Sequence, residues 1–159
     1  MKHLSRSVAL TGLAVSLVAS LGAVSPQAAM AECSSKAAGT YLMTFTQGGN
    51  VTGCDTFRLG DDGTVSAADS LQGTIGFTVA QGTWDCEGKD LVATTLDFTT
   101  DGNTLTRADY VASFDKKQQT LTGTKALVAL PLGGNPFTDQ GTPVGSFTFT
   151  GVRIPPSVE

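Results

Sequence analysis

Proton chemistry in this sequence has few instruments. The single histidine, His3, sits at the extreme N-terminus, so the body of the chain has none for Ser-His-Asp or Cys-His catalysis, or to ligate a metal. Carboxylates, Lys, Tyr, Cys and backbone groups remain. Arg107 and Asp109 stand at i and i+2, on one face of any strand that carries them, and Asp97 is expected among outward polar residues. As chemistry these could serve a carboxylate acid–base pair; as structure they are a solvated charge row. Asp61-Asp62-Gly63 and Asp101-Gly102-Asn103 lack the ligand count of a calcium loop and read as turns. Neither a metal site nor a cofactor is expected. Asn50-Val51-Thr52 fits a glycosylation sequon, meaningful only in a eukaryotic secretory pathway.

The elements that must position these groups begin after a leader. Lys2, His3 and Arg6 precede an apolar run from Val8 to Val24, followed by Ala29-Met30-Ala31. A basic start, an apolar middle and an A-x-A site form a secretory signal peptide, residues 1–31, with cleavage after Ala31. A single domain over 32–159 then remains, secreted or periplasmic and free of the membrane after cleavage. It carries eight basic and fourteen acidic residues, scattered apart from Lys116-Lys117, so no basic patch exists for nucleic acid or an anionic membrane. Nothing in the sequence specifies an oligomeric state.

From Gly39 onward the apolar residues alternate with period two, and Thr occurs 22 times after the leader. No proline falls between Pro26 and Pro131, so nothing there interrupts a ladder. Turn residues punctuate the alternation, Asp62-Gly63 and Asp101-Gly102 among them. Eight strands are predicted near 40–46, 55–59, 64–68, 74–84, 90–99, 104–114, 119–130 and 144–154. Short connections make sequence neighbours antiparallel, and eight such strands suit an up-and-down barrel that removes its own edges. The second architecture is a two-sheet sandwich. The only other helix-like stretch is Glu32 to Ala38. Ile75, Phe77 and Val79 align in the fourth strand but Trp84 falls on the other parity, which predicts a bulge near Gln81-Gly82. Tyr41, Phe45, Phe57, Phe77, Phe98, Tyr110, Phe114, Phe147 and Phe149 are expected to face inward.

Alternating strands also sort the loops by end. Loops at 47–54, 69–73, 100–103 and 131–143 share one rim; turns at 60–63, 85–89 and 115–118 share the other with the N-terminal segment. Cys33 and Cys86 then meet at one end and Cys54 lies at the other, which predicts a Cys33–Cys86 disulfide. Without a histidine, Cys54 is not an activated nucleophile.

Gly39-Thr40-Tyr41 opens the first strand, and Thr150-Gly151-Val152-Arg153 closes the last. This resembles the calycin pattern of lipocalin-type barrels, in which a Gly-x-Trp on the first strand packs beside an Arg from the last. Here Tyr41 stands at the Trp position, and the one Gly-Thr-Trp (Gly82 to Trp84) lies in the fourth strand. The resemblance implies a barrel closed at one end that binds small apolar molecules. Tyr41 and Arg153 are expected to form a structural aromatic–guanidinium pair, with Trp84 also structural.

Three functions follow. The first is binding of a small apolar or amphipathic ligand inside the barrel, touched by Tyr110, Phe98 and Phe147, with Asn50, Asn135 and Phe137 around the mouth. The second is a barrel cyclase or isomerase that shapes its substrate, assisted by Tyr110 or a buried carboxylate. The third is an envelope or protein-interaction module with a filled core. A cavity favours the first two, and a carboxylate buried inside it favours the second.

Overall fold

The computed structural model describes residues 36–156. The leader, Cys33 and most of the helix expected over 32–38 lie outside the described residues. Eight strands follow in order: β1 (Gly39–Gln47), β2 (Asn50–Leu59), β3 (Thr64–Asp69), β4 (Ala80–Glu87), β5 (Asp90–Phe98), β6 (Thr104–Asp115), β7 (Thr120–Pro131) and β8 (Thr142–Arg153). Each pairs antiparallel with the next, and β8 returns to β1, closing the barrel. Among the described residues each strand thus has a neighbour on both sides over part of its length.

Inward positions carry the apolar set. Tyr41, Phe57, Trp84, Leu91, Tyr110, Leu121 and Phe149 are buried in one cluster. The rings pack edge-on or tilted: Phe57 and Tyr110 have centroids 4.9 Å apart, and Phe45 and Phe149 5.7 Å. Threonine explains part of the outer wall. Thr44, Thr150 and Thr122 are direct neighbours across β1, β8 and β7, as are Thr46, Thr148 and Thr124. In the second row the Thr46 and Thr148 hydroxyls lie 2.6 Å apart.

One end is sealed by the pair expected from the sequence. Tyr41 and Arg153 are register partners, and the guanidinium carbon lies 5.9 Å from the Tyr41 ring centre. Tyr41 donates its hydroxyl hydrogen to the Ala37 carbonyl at 2.6 Å, while Arg153 donates to Gln119 Oε1 at 2.5 Å and to the Ala38 carbonyl. A Cβ on Gly39 would meet Arg153 Nε at 2.6 Å, so the guanidinium can lie flat only over glycine. Trp84 belongs to the same end: it is buried and its indole N–H donates to the Gly60 carbonyl at 2.8 Å.

Two sequence expectations are corrected. The fourth strand begins at Ala80, not at 74. Gln72–Ile75 forms a single helical turn, α1, ended by Gly76 at φ 73°, whose N–H bonds the Gln72 carbonyl. This break, rather than a bulge near Gln81-Gly82, separates the parity of Phe77 from that of Trp84, and Val79 is exposed. The pairing of β4 with β5 runs without a register shift; the bulges are at Phe45/Thr46 and Leu127/Val128. Gly82 is required for another reason, since a Cβ there would fall on the Thr94 carbonyl of β5.

The second correction concerns β5. Leu91, Ala93 and Thr95 are buried and Asp97 points with them, whereas Phe98 is 49% exposed on the outer wall. The cause is register. Leu91 pairs with Ala112, Ala93 with Tyr110 and Asp97 with Thr106, and register partners share a face. Once Tyr110 and Ala112 turn inward, so must Asp97.

Candidate functional site

Aromatic packing fills the end near Arg153, but at the opposite end the interior turns polar. A cavity of about 60 Å³ there is lined by Asp55, Asp69, Asp97, Thr95, Tyr110 and Lys125, with Phe77 and Leu127 among its apolar walls. It also touches exposed Thr78, so it reaches the surface. One water needs at least about 10–15 Å³, so the space holds no more than a few water-sized groups.

Each polar wall residue follows from strand parity. Asp55 alternates inward with Phe57 and Leu59 on β2, and Lys125 with Leu121 and Leu127 on β7. Asp69 is the direct cross-strand partner of Asp55. Lys125 Nζ donates to Asp55 Oδ2 at 3.3 Å, with side-chain exposures of 11% and 1%, so this is a buried ion pair. The ammonium also sits 4.5 Å from the Phe45 ring centre and 5.6 Å from that of Tyr110.

Burial dominates the electrostatics. It pushes the Asp55 carboxyl up to about 6; Lys125 opposes the rise and Asp69 adds to it. Asp97 is raised by burial as well, against a hydrogen bond from Thr106 and the attraction of Lys125. Burial likewise raises the Tyr110 phenol, so it stays protonated at neutral pH. For Lys125, burial works against the charge, but the Tyr110 oxygen and Asp55 carboxylate more than offset it, and the ammonium persists.

Three oxygens remain over. Asp55 Oδ1, Thr95 Oγ1 and Asp97 Oδ1 are buried and have no hydrogen-bond partner among the described residues. Buried polar atoms are otherwise nearly always paired, so three around one cavity set this end apart from the rest of the interior.

Of the residues singled out from the sequence, Tyr110 lines this cavity. Phe147 is partly buried but packs edge-on against Phe45 at 6.5 Å, and does not line it. Asn50 ends the β1–β2 hairpin opposite Gln47. Asn135 caps its own loop, its Oδ1 accepting from the Phe137 N–H at 2.9 Å, and Phe137 is 76% exposed. That loop is tied to the outer wall, because Arg107 Nη1 donates to the Pro136 carbonyl at 2.6 Å. Arg107 Nε bonds Asp109 Oδ2 at 2.9 Å, so the outward charge row clamps the loop. Asp62 and Asp101 accept from Thr64 and Thr99, which lowers both carboxyls, and both lie in turns. Cys54 is a free thiol. Among the described residues no cluster of His, Cys, Asp or Glu could hold a metal, and no helix is long and apolar enough to cross a membrane.

Asp55, Asp69, Thr95 and Lys125 are not singled out by sequence reading, which places Asp97 outward. The signal was present for two of them: a charged residue in step with the inward apolar residues of its own strand.

Fold and site together define a closed eight-stranded up-and-down barrel, packed solid at one end and holding a polar cavity at the other. Comparison with known proteins finds no family model, curated protein or solved structure that matches the chain.

Proposed function

We propose that this is a secreted, calycin-like barrel that binds a small amphipathic molecule, taking the polar end of that molecule into the cavity beside Asp55. The observation that carries the reading is the set of unpaired buried oxygens on Asp55, Thr95 and Asp97 around a space that reaches the surface. A barrel that only had to be solid would gain by filling this end with apolar side chains, since a buried ion pair rarely stabilises more than its hydrophobic replacement. The leader is removed after Ala31, and Cys33 bridges to Cys86.

Native mass spectrometry of the protein purified from its own source tests the proposal. The expected spectrum is a chain starting at Glu32, two hydrogens lighter than its fully reduced form, carrying a small-molecule adduct. The Asp55→Leu/Lys125→Met variant is expected to lose the adduct. A bare wild-type barrel contradicts the reading.

A second reading is favoured by one observation: the Asp55 carboxyl, pushed up to about 6 and facing Asp69, is suited to give and take a proton near neutral pH. On that reading the barrel is a cyclase or isomerase. Recovery of the bound molecule chemically changed after incubation would distinguish it from a carrier.

A further inference from the structure

Resting on the small-molecule reading above, we infer that the polar end of the ligand is a primary ammonium group on a short apolar chain. The charges around the cavity set its sign. Three carboxylates, Asp55, Asp69 and Asp97, line it against one cation, Lys125. Lys125 is committed to Asp55 Oδ2, which leaves Asp55 Oδ1 and Asp97 Oδ1 as acceptors without a donor. An anionic ligand would bring further negative charge against Asp69 and Asp97, and would need Lys125 to abandon Asp55.

Donor count separates an ammonium from a neutral group. A ligand hydroxyl has one hydrogen to give: it can donate to one carboxylate oxygen and accept from the Thr95 hydroxyl, which still leaves the other carboxylate oxygen without a donor. A primary ammonium has three, as many as the unpaired oxygens of Asp55, Thr95 and Asp97. Its bonds to carboxylates are charge-assisted and about twice as strong as neutral ones.

Size completes the description. A cavity of about 60 Å³ holds no more than a few water-sized groups, a small head group and the start of a short chain. Phe77 and Leu127 give the chain apolar walls, and exposed Thr78 marks where a longer tail would leave. Secondary and tertiary amines fit less well, because each added carbon removes a donor.

The test is an NMR titration at pH 7 with n-butylammonium, 1-butanol and butanoate, followed at the backbone amides of Thr95, Asp97 and Thr106. Butylammonium is expected to shift these amides saturably and to bind at least about tenfold more tightly than 1-butanol, with no saturable shift from butanoate. Asp97→Asn keeps the side-chain shape and is expected to weaken butylammonium by about tenfold, with the rest of the spectrum retained as evidence of folding. Equal affinities for the three probes, or tighter binding of 1-butanol or butanoate, overturn the ammonium assignment and leave small-molecule binding standing. Absence of any shift from butylammonium also overturns it. The binding reading itself falls only with a bare barrel in the mass spectrum.

Discussion

Asp55→Leu and Lys125→Met, made singly, are each expected to cost about 3–5 kcal/mol of unfolding free energy at pH 7, and the double variant to regain most or all of it. The ion pair is almost wholly out of water, with Asp55 1% and Lys125 11% exposed. Removing one partner strands the other charge among Phe45, Phe57 and Tyr110, and the desolvation already incurred is no longer offset. Removing both leaves an apolar end to an already apolar barrel. Urea unfolding of the four proteins reads the effect as a non-additive cycle. Additive losses would mean that the pair is not coupled. A double variant as unstable as the singles would mean that it is kept for stability rather than for what it binds.

Stability is also expected to fall, not rise, as pH increases from about 4.5 to 7.5. The Asp55 carboxyl lies at about 6 in the folded chain against 3.8 for the ordinary group. Between those values the folded protein holds a proton that the unfolded chain has released. The contribution is therefore fully present below about 4 and is lost as pH rises through about 6. The full difference amounts to about 3 kcal/mol, at about 1.4 kcal/mol per pH unit, of which about 2 kcal/mol is lost between about pH 4.5 and 7.5. Asp97, raised by burial, acts in the same sense. The other groups facing Asp55 are Asp69 from β3, Tyr110 from β6 and Lys125 from β7. Asp69 adds to the rise, while Tyr110 stays neutral and Lys125 charged across the window. The lowered carboxyls of Asp62 and Asp101 work oppositely, giving stability that is lost only as pH falls below the ordinary carboxylate range. Urea midpoints at the two pH values measure the slope, and Asp55→Asn is expected to flatten it. A midpoint that rises toward pH 7.5, or a slope unchanged in Asp55→Asn, contradicts the burial of this carboxyl.

The barrel was legible in the sequence because alternation, turn residues and an uninterrupted run without proline all pointed the same way. Tyr41 and Arg153 were legible as a pair through their resemblance to the first-strand aromatic and last-strand Arg of the calycin pattern. The cavity was not, for a definite physical reason. On β5, Val92, Leu96 and Phe98 make one face as apolar as Leu91 and Ala93 make the other, so composition does not choose between them. The choice is made by register with β6, a non-local fact: Tyr110 fixes Ala93, and Ala93 carries Thr95 and Asp97 inward with it. Hydrophobicity alone turns Phe98 inward and Asp97 outward; pairing turns them the other way. Phe77 and Val79 imitated a strand for a similar reason, their alternation lying just beyond the left-handed Gly76 that ends α1.

The most direct measurement is a carbon-13 titration of the aspartate side-chain carboxyls, with and without saturating n-butylammonium. The account predicts an Asp55 carboxyl titrating near 6 in the free protein and moving down by about one unit or more when the ammonium is bound. An Asp55 carboxyl that titrates near 4, or that keeps its midpoint when the amine is added, would contradict a buried acceptor waiting for a cationic guest.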